Sequence, residues 1–532
     1  MRKHFSFLAY RLVACAVFAT AGFAGRLDAQ SAATPAEAHA AQRCEASRRE
    51  GPEALRAFLV DFPKGADLHV HLSGAVYAET FIREAGEDGL CVDTVALSFA
   101  KPPCGENQIA AKDLSGNIST ANQALYDKII DSFSMRSFVP FAGWSGHDQF
   151  FATFAKFSGL KNHVGEWVDE VASRAAAQNQ QYLELMQTPP FSHASQIAHA
   201  IGWSAKLAQG DAQAFARFRQ ELLEHGLREE IANDRDDVRA AEALRKEIEH
   251  CGTAQAAAAC RVEVRYIYQV LRGNPPEQVF AQTLLAFETV QASMDAHDDT
   301  WVGLNFVMPE DGMISMRDYT LQMKMVDYLH SVYPRVHITL HAGELAEGLV
   351  PPEGLRFHIR QAVELGHAER IGHGVDVMHE DNAQELLKEL AERHVMIEIN
   401  LSSNEGILGV KGDRHPFLIY RRAHVPVALS TDDEGVSRID LTHEYVRAAL
   451  DYGLSYADLK QLARTGMEHD FLPGTSLWAR PDAFSVPVSA CRGQALGGEK
   501  PTKDCKAFLD GSQKAAAQWE LERRFRTFEG RL

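Results

Sequence analysis

Long apolar runs are missing from this sequence: the longest, Leu12 to Gly25, has 14 residues, short of the ~20 that span a bilayer. No membrane partner is expected. An excess of basic charge is missing as well, with 54 Lys and Arg against 72 Asp and Glu and a formal net charge of −18. Phosphate backbones and anionic bilayers need a basic surface, so no nucleic acid is expected as a partner and a neutral small molecule fits better. Internal repeats are absent. So is a glycine-rich phosphate loop after the first strand-like run, Leu68-His69-Val70-His71, which argues against an open doubly wound sheet. What remains, 45% hydrophobic and 24% charged residues, is the composition of an ordinary globular protein with a sizeable core.

Cysteine is scarce, eight in 532 residues. Six fall in close pairs, Cys91 with Cys104, Cys251 with Cys260 and Cys491 with Cys505. An oxidising compartment would join such pairs as local disulfides; buried free thiols are the alternative. The N-terminus favours that compartment. Arg2, Lys3 and Arg11 lead into the apolar run, and Leu27-Asp28-Ala29 offers a small residue before a cut, as in a secretory signal. Residues 1–29 are read as a signal peptide and the protein as exported, to the periplasm or the medium. Leu12-Val13-Ala14-Cys15 resembles a lipoprotein box, but Arg11 interrupts the apolar stretch before it, so soluble export is preferred. Cleavage after Ala29 removes four basic residues and one acidic residue, leaving a charge of −21 and Cys44 unpaired.

Residues 30–60 form an N-terminal leader, rich in Ala, Glu and Gln at its start and expected as a mobile segment or a solvated helix. Eight short β-rich runs follow: Asp67–Leu72, Gln181–Met186, Val262–Val270, Val302–Met308, Val336–Leu340, Arg370–His373, Val395–Ile399 and Val425–Ser430. Segments with helical apolar spacing, such as Pro276–Ser293, Met316–Tyr333, Gly354–Leu365 and Asn382–His394, separate most of them. This alternation predicts an α/β fold, a closed (β/α)₈ TIM barrel over residues 61–480. About residues 73–180 are too long for one crossover helix and are expected to hold a helical insertion that roofs the active site. Arg217–His250 reads as a pair of solvated helices. Residues 481–532 read as a C-terminal extension.

Catalytic residues of such barrels come from the C-terminal ends of different strands. Residues i and i+2 of a strand share a face, so His69 and His71 can present two imidazoles to one metal. Alone this is weak, since about one His-x-His is expected by chance among 23 histidines and a lone pair is more often structural. Companions strengthen it. Thr339-Leu340-His341-Ala342-Gly343-Glu344 ends a strand in a histidine and turns a carboxylate back through small residues. Gly372-His373-Gly374 places a histidine where backbone must approach closely, and Ser430-Thr431-Asp432-Asp433 sets two carboxylates together, which is costly without a cation. Four of eight strands ending in His or Asp is a pattern that chance structure does not explain.

These motifs, Leu68-His69-Val70-His71-Leu72 with Gly74, His341-Ala342-Gly343-Glu344, Gly372-His373-Gly374 and Ser430-Thr431-Asp432-Asp433, resemble the motif set of adenosine deaminases over about residues 60–475. The export signal and long insertion make the chain look most like the secreted, growth-factor-related branch. The resemblance implies one Zn²⁺ per chain held by His69, His71, His341 and Asp432. It implies that Glu344 protonates purine N1, that His373 orients or deprotonates the zinc-bound water, and that Asp433 holds both the nucleophile and purine N7. Gly74, Gly343, Asp433 and Met308 are the substrate-binding residues it points to. The implied reaction is hydrolytic deamination of adenosine, and of 2′-deoxyadenosine, to inosine and ammonia by attack of zinc-bound hydroxide on C6. The partner is then a small-molecule nucleoside, with a homodimer left open.

Two departures accompany the resemblance. Met308 stands where the family has a glycine approaching the purine, and Asn400-Leu401 replaces the family's Cys-Pro before Ser402-Ser403-Asn404. Both bear on substrate choice, so another aminopurine (adenine, AMP or a modified adenosine) is the alternative. A metal-dependent hydrolase of amides or phosphotriesters is a more distant one, against which Glu344 argues. A nucleoside-binding module without turnover would be expected to lack a ligand or the acid, and none is missing.

Overall fold

Eight parallel strands follow one another in chain order around a barrel: β1 (Gly65–His71), β2 (Gln180–Gln187), β3 (Glu263–Leu271), β4 (Trp301–Val307), β5 (His337–Ala342), β6 (Arg370–His373), β7 (Met396–Ile399) and β8 (Val427–Leu429). All eight expected strands are present. A parallel bridge between Val70 and Asp432, with His71 N–H donating to Asp432 O and Asp432 N–H to His69 O, joins the last strand to the first. The computed structural model describes residues 34–115 and 122–532. The expected signal peptide, residues 1–29, lies outside the described residues. Among those described, no helix is long and apolar enough to cross a membrane.

Strands β1, β4, β6, β7 and β8 are buried along their whole length, as expected of parallel strands covered on both faces. Helices such as Pro276–Ala296 and Met313–Val332 cover the outside. Inside, Arg370 is fully buried between Glu184 (2.6 Å) and Glu398 (2.7 Å), with its guanidinium 3.9 Å from the centre of the Phe471 ring. An ion triad in this position needs every partner, because one left alone would be an uncompensated buried charge.

The segment between β1 and β2 is not helical throughout. It contains a three-stranded antiparallel sheet (Cys91–Asp93, Ser98–Ala100, Gln108–Ala110) tied by the Cys91–Cys104 disulfide. Its helices bury their own cluster around Phe81, Phe133, Phe150 and Phe157. The helix Gly146–Lys156, started by a Ser145/Asp148 capping box, crosses the helix Leu401–Leu408 that follows β7. Gly146 is required there, since a Cβ would lie 1.9 Å from Gly406 O.

Residues 35–59 are two helices, Pro35–Glu50 and Pro52–Leu59, and Ala40, Cys44, Leu55 and Leu59 join the main core. The expected mobile leader is thus a packed element. The C-terminal helix Gln513–Glu529 likewise sends Leu521, Phe525 and Phe528 into that core. Residues 212–248 form two helices that bend at Gly226, φ +116°. All three cysteine pairs are disulfides, and Cys44 is free and buried.

Candidate metal centre and active site

The C-terminal ends of β1, β5, β6 and β8 converge. His69, His71, His341 and Asp432 each direct one ligand atom to a common point, all four atoms within 4.8 Å of one another. His71 Nε2 lies 3.2 Å from both His341 Nε2 and Asp432 Oδ1, and His69 Nε2 is 3.4 Å from Asp432 Oδ1.

The other nitrogen of each ring settles which atom faces inward. His69 Nδ1 donates to Glu398 Oε2 (2.6 Å), His71 Nδ1 to Gln269 Oε1 (2.8 Å) and His341 Nδ1 to Asn305 Oδ1 (2.9 Å). An oxygen that only accepts keeps the proton on Nδ1, which leaves Nε2 free to bind metal. His69 Nε2 is buried with no hydrogen-bond partner. Three anchored imidazoles and one carboxylate make a donor set that fits zinc.

Electrostatics agree. Burial and the neighbouring histidines hold His341 well below its ordinary range, as a neutral ligand. Burial disfavours charge on His69 too, but the carboxylates of Asp432, 3.4 Å from Nε2, and of Glu398, bonded to Nδ1, outweigh burial and push it up to about 10. Asp432 lies well below the usual carboxylate range: burial opposes its charge, and the close imidazoles of His69 and His71, 3.4 and 3.2 Å away, prevail.

Glu344, His373 and Asp432 form a second group that shares Asp432, its ligand atoms also within 4.8 Å of one another. Burial and the charge of Asp432 hold Glu344 well above the carboxylate range, so it carries a proton. Its turn is set by Glu310, which accepts Gly343 N–H at 3.0 Å and Glu344 N–H at 2.8 Å. His373 (φ +71°) sits where Gly374 N–H reaches back to Gly372 O at 3.0 Å, and Asp432 has φ +61°. Two non-glycine residues in this region cost on the order of 1–3 kcal/mol each, strain of the kind found at working sites.

Beside these groups lies a cavity of about 450 Å³ lined by His71, Gln269, Met308, Glu344, Asp433 and the insertion's Phe150, Phe151 and Phe154. Asp433 faces it as expected. Gly74 and Gly343 are not among the residues found on the cavity wall. A Cβ on Gly74 would lie 1.5 Å from Asp433 Oδ1, so Gly74 makes room for that carboxylate. Gly343 (φ +76°) carries the turn held by Glu310. Met308 is 41% exposed with φ +87°, a conformation that favours glycine.

A family model for adenosine deaminase matches residues 134–477. The chain belongs to the adenosine deaminase family. Among its curated relatives are the adenosine deaminase of Clostridium perfringens, 34% identical over 135 residues, and that of Escherichia coli, 42% identical over 137. These alignments cover 25% and 26% of this chain and 37% and 38% of the relatives, so the chain spans well under half of their length. Among solved structures, an Arabidopsis N6-mAMP deaminase is similar over 78% of this chain and 96% of that one, at 21% identity and a TM-score of 0.48.

Several working residues carried no signal in the sequence. Glu398, Gln269 and Asn305 lie inside barrel strands, where an inward polar residue is visible only once the neighbouring strand is placed. Glu310 follows β4 by three residues, outside any motif; it is 2% exposed. The Phe150-Phe151 wall comes from an insertion that spacing alone could not dock.

Proposed function

We propose that this protein hydrolytically deaminates adenosine, and 2′-deoxyadenosine, to inosine and ammonia, with one zinc ion per chain. The observation that carries the reading is an aromatic-walled cavity in which a protonated Glu344 faces the His69/His71/His341/Asp432 donor set. Zinc held by these four supplies the Lewis acidity that brings the pKa of a water towards ~7.

The chain's own residues do the rest. Phe150, Phe151 and Phe154 give a planar ring an apolar surface. Glu344 donates its proton to N1, so that the ring accepts electrons as C6 is attacked. Asp433, which burial holds well above the carboxylate range, donates its proton to N7, while its Oδ1, buried and without a hydrogen-bond partner, accepts from the nucleophile. The described residues lining the cavity include no Lys or Arg. A nucleotide's phosphate would have no cationic partner there, which favours a nucleoside over AMP.

A second reading, another aminopurine, rests on the two departures, Met308 and Asn400-Leu401. We further infer export of a soluble protein, akin to the secreted growth-factor-related branch, which the three disulfides support. The test is the ultraviolet absorbance change on adenosine, 2′-deoxyadenosine, adenine and AMP, before and after chelation and zinc addition. Chelator-sensitive turnover of adenosine above AMP is expected. Turnover of AMP above adenosine would overturn the choice of substrate.

A further inference from the structure

Beyond the metal centre, His373 is the end of a buried chain of hydrogen bonds whose direction is fixed by a backbone amide. Phe417 N–H donates to His415 Nδ1 at 3.1 Å. A backbone amide can only donate, so His415 Nδ1 carries no hydrogen and its proton is on Nε2. His415 Nε2 is 3.0 Å from Asn404 Oδ1, which accepts that proton. The amide of Asn404 is thereby oriented, and its Nδ2 donates to His373 Nδ1 at 2.9 Å. Asn400 Nδ2 approaches the same nitrogen at 3.4 Å. His373 Nδ1 is thus an acceptor, and the ring's hydrogen is on Nε2, which lies 3.9 Å from Asp432 Oδ2 with no hydrogen-bond partner. His373, Asn400, Asn404 and His415 are at most 3% exposed, so water does not compete for these bonds.

We propose that His415 is a positioning residue that, through Asn404, fixes His373 as an Nε2–H donor towards the reacting centre. His373 then offers a hydrogen to the nucleophile's oxygen and holds it, and does not take its proton. Of the two roles expected for this histidine, orientation and deprotonation, the relay selects orientation. Taking a proton at Nε2 would first require turning Asn404 and His415 together, against a backbone N–H that has no other partner to offer. Asn400, which stands where the family has cysteine, adds a second donor to the same nitrogen.

The effect on turnover rests on the deaminase reading, whereas the tautomer does not. The test uses the full-length protein labelled with ¹⁵N-histidine, metal-free and zinc-loaded. Its long-range ¹⁵N–¹H spectrum gives the tautomer of each ring, and the His373 signals are identified by their loss in His373→Gln. The Nε2–H form is expected in wild type. Asn404→Asp, of the same shape, accepts from His373 Nδ1 and moves the hydrogen there. It is expected to lower kcat by ~10⁴-fold, as when a catalytic histidine is held in the wrong tautomer, with zinc content and KM little changed. His415→Leu is expected to give mixed His373 signals and a kcat lowered by ~10-fold or more, and His415→Gln to restore both, because Gln Nε2 can replace the lost donor. An Nδ1–H ring in wild type would overturn the proposal. So would a His415→Leu variant with unaltered His373 signals. If adenosine proves not to be the substrate while the tautomer shifts as described, the positioning role stands and only the substrate reading fails.

Discussion

His69 Nδ1 lies 2.6 Å from Glu398 Oε2, with both residues completely buried. Glu398 also accepts from Thr339 Oγ1 at 2.9 Å and pairs with Arg370 at 2.7 Å. One carboxylate therefore orients a candidate metal ligand and, with Glu184, pairs the buried Arg370. Glu398→Gln keeps the shape but weakens the hold on His69, and zinc affinity is expected to fall ~10- to 100-fold. Competition with a chelator measures it. Glu398→Ala would also take one of its two carboxylate partners from Arg370, leaving Glu184, and the unmet buried donor is expected to cost about 1–3 kcal/mol of stability in denaturant unfolding. Unchanged zinc affinity in Glu398→Gln would remove Glu398 from the metal centre.

Glu344 works only if it carries a proton, and burial beside Asp432 keeps one on it. Glu344→Gln keeps the size and a hydrogen-bond donor but has no acidic proton to give. Elemental analysis should find one zinc per chain, as in wild type, while kcat falls by ~10³-fold or more. An active Glu344→Gln enzyme would sink the proton-donor role.

The barrel was legible because its signal is repeated: eight β-rich runs between helical ones, with His or Asp at four C-terminal ends. The ligands were legible for the same reason, since a strand's direction tells where its last residue points. Hydrogen bonds between strands were not. Which inward residue meets His69 Nδ1 depends on the stagger of β7 against β1 across the barrel, and no local pattern carries it. The leader's packing was equally hidden, because Ala40 and Cys44 are too small to mark an apolar face in a helix otherwise full of charge.

Met308 stands between these cases. Its sequence position marked it as a departure, and its φ of +87° shows the cost. Met308→Gly relieves about 1–3 kcal/mol of backbone strain, offset in part by ~1 kcal/mol of added chain entropy on unfolding. It also removes an apolar wall from the cavity. Tm is expected to hold or rise, and KM for adenosine to rise with little change in kcat, as when contacts equal in ground and transition states are lost. A large fall in kcat with KM constant would instead place Met308 against the reacting ring.

Asp234 gives the stability a pH dependence. It is 1% exposed, its carboxylate accepts the Tyr268 hydroxyl at 2.9 Å, and burial raises its pKa to about 7. An unfolded aspartate titrates near ~3.9. The folded state therefore holds this proton more tightly, and its contribution is whole below about pH 4 and lost as pH rises through about 7. In chelator-treated protein, stability is expected to fall between about pH 4 and about pH 7. Asp234→Asn should flatten that fall by up to ~1.4 kcal/mol per pH unit. Equal slopes in the two proteins would mean that Asp234 ionises as an exposed carboxylate does.

The export reading can be decided by counting thiols. Six cysteines are joined in the three disulfides and Cys44 is free, and the eighth, Cys15, lies within the expected signal peptide. Protein recovered from its native host and denatured without reductant should titrate as one thiol if residues 1–29 have been removed. Two thiols would mean that the N-terminus is retained while the disulfides form. Eight would mean that the pairs are reduced in the cell, and the exported assignment would fall. The loops closed are short, 9 to 14 residues, so chain entropy gives each disulfide only about 3 kcal/mol. Reduction is therefore expected to lower Tm without unfolding the barrel, whose core none of the six cysteines joins.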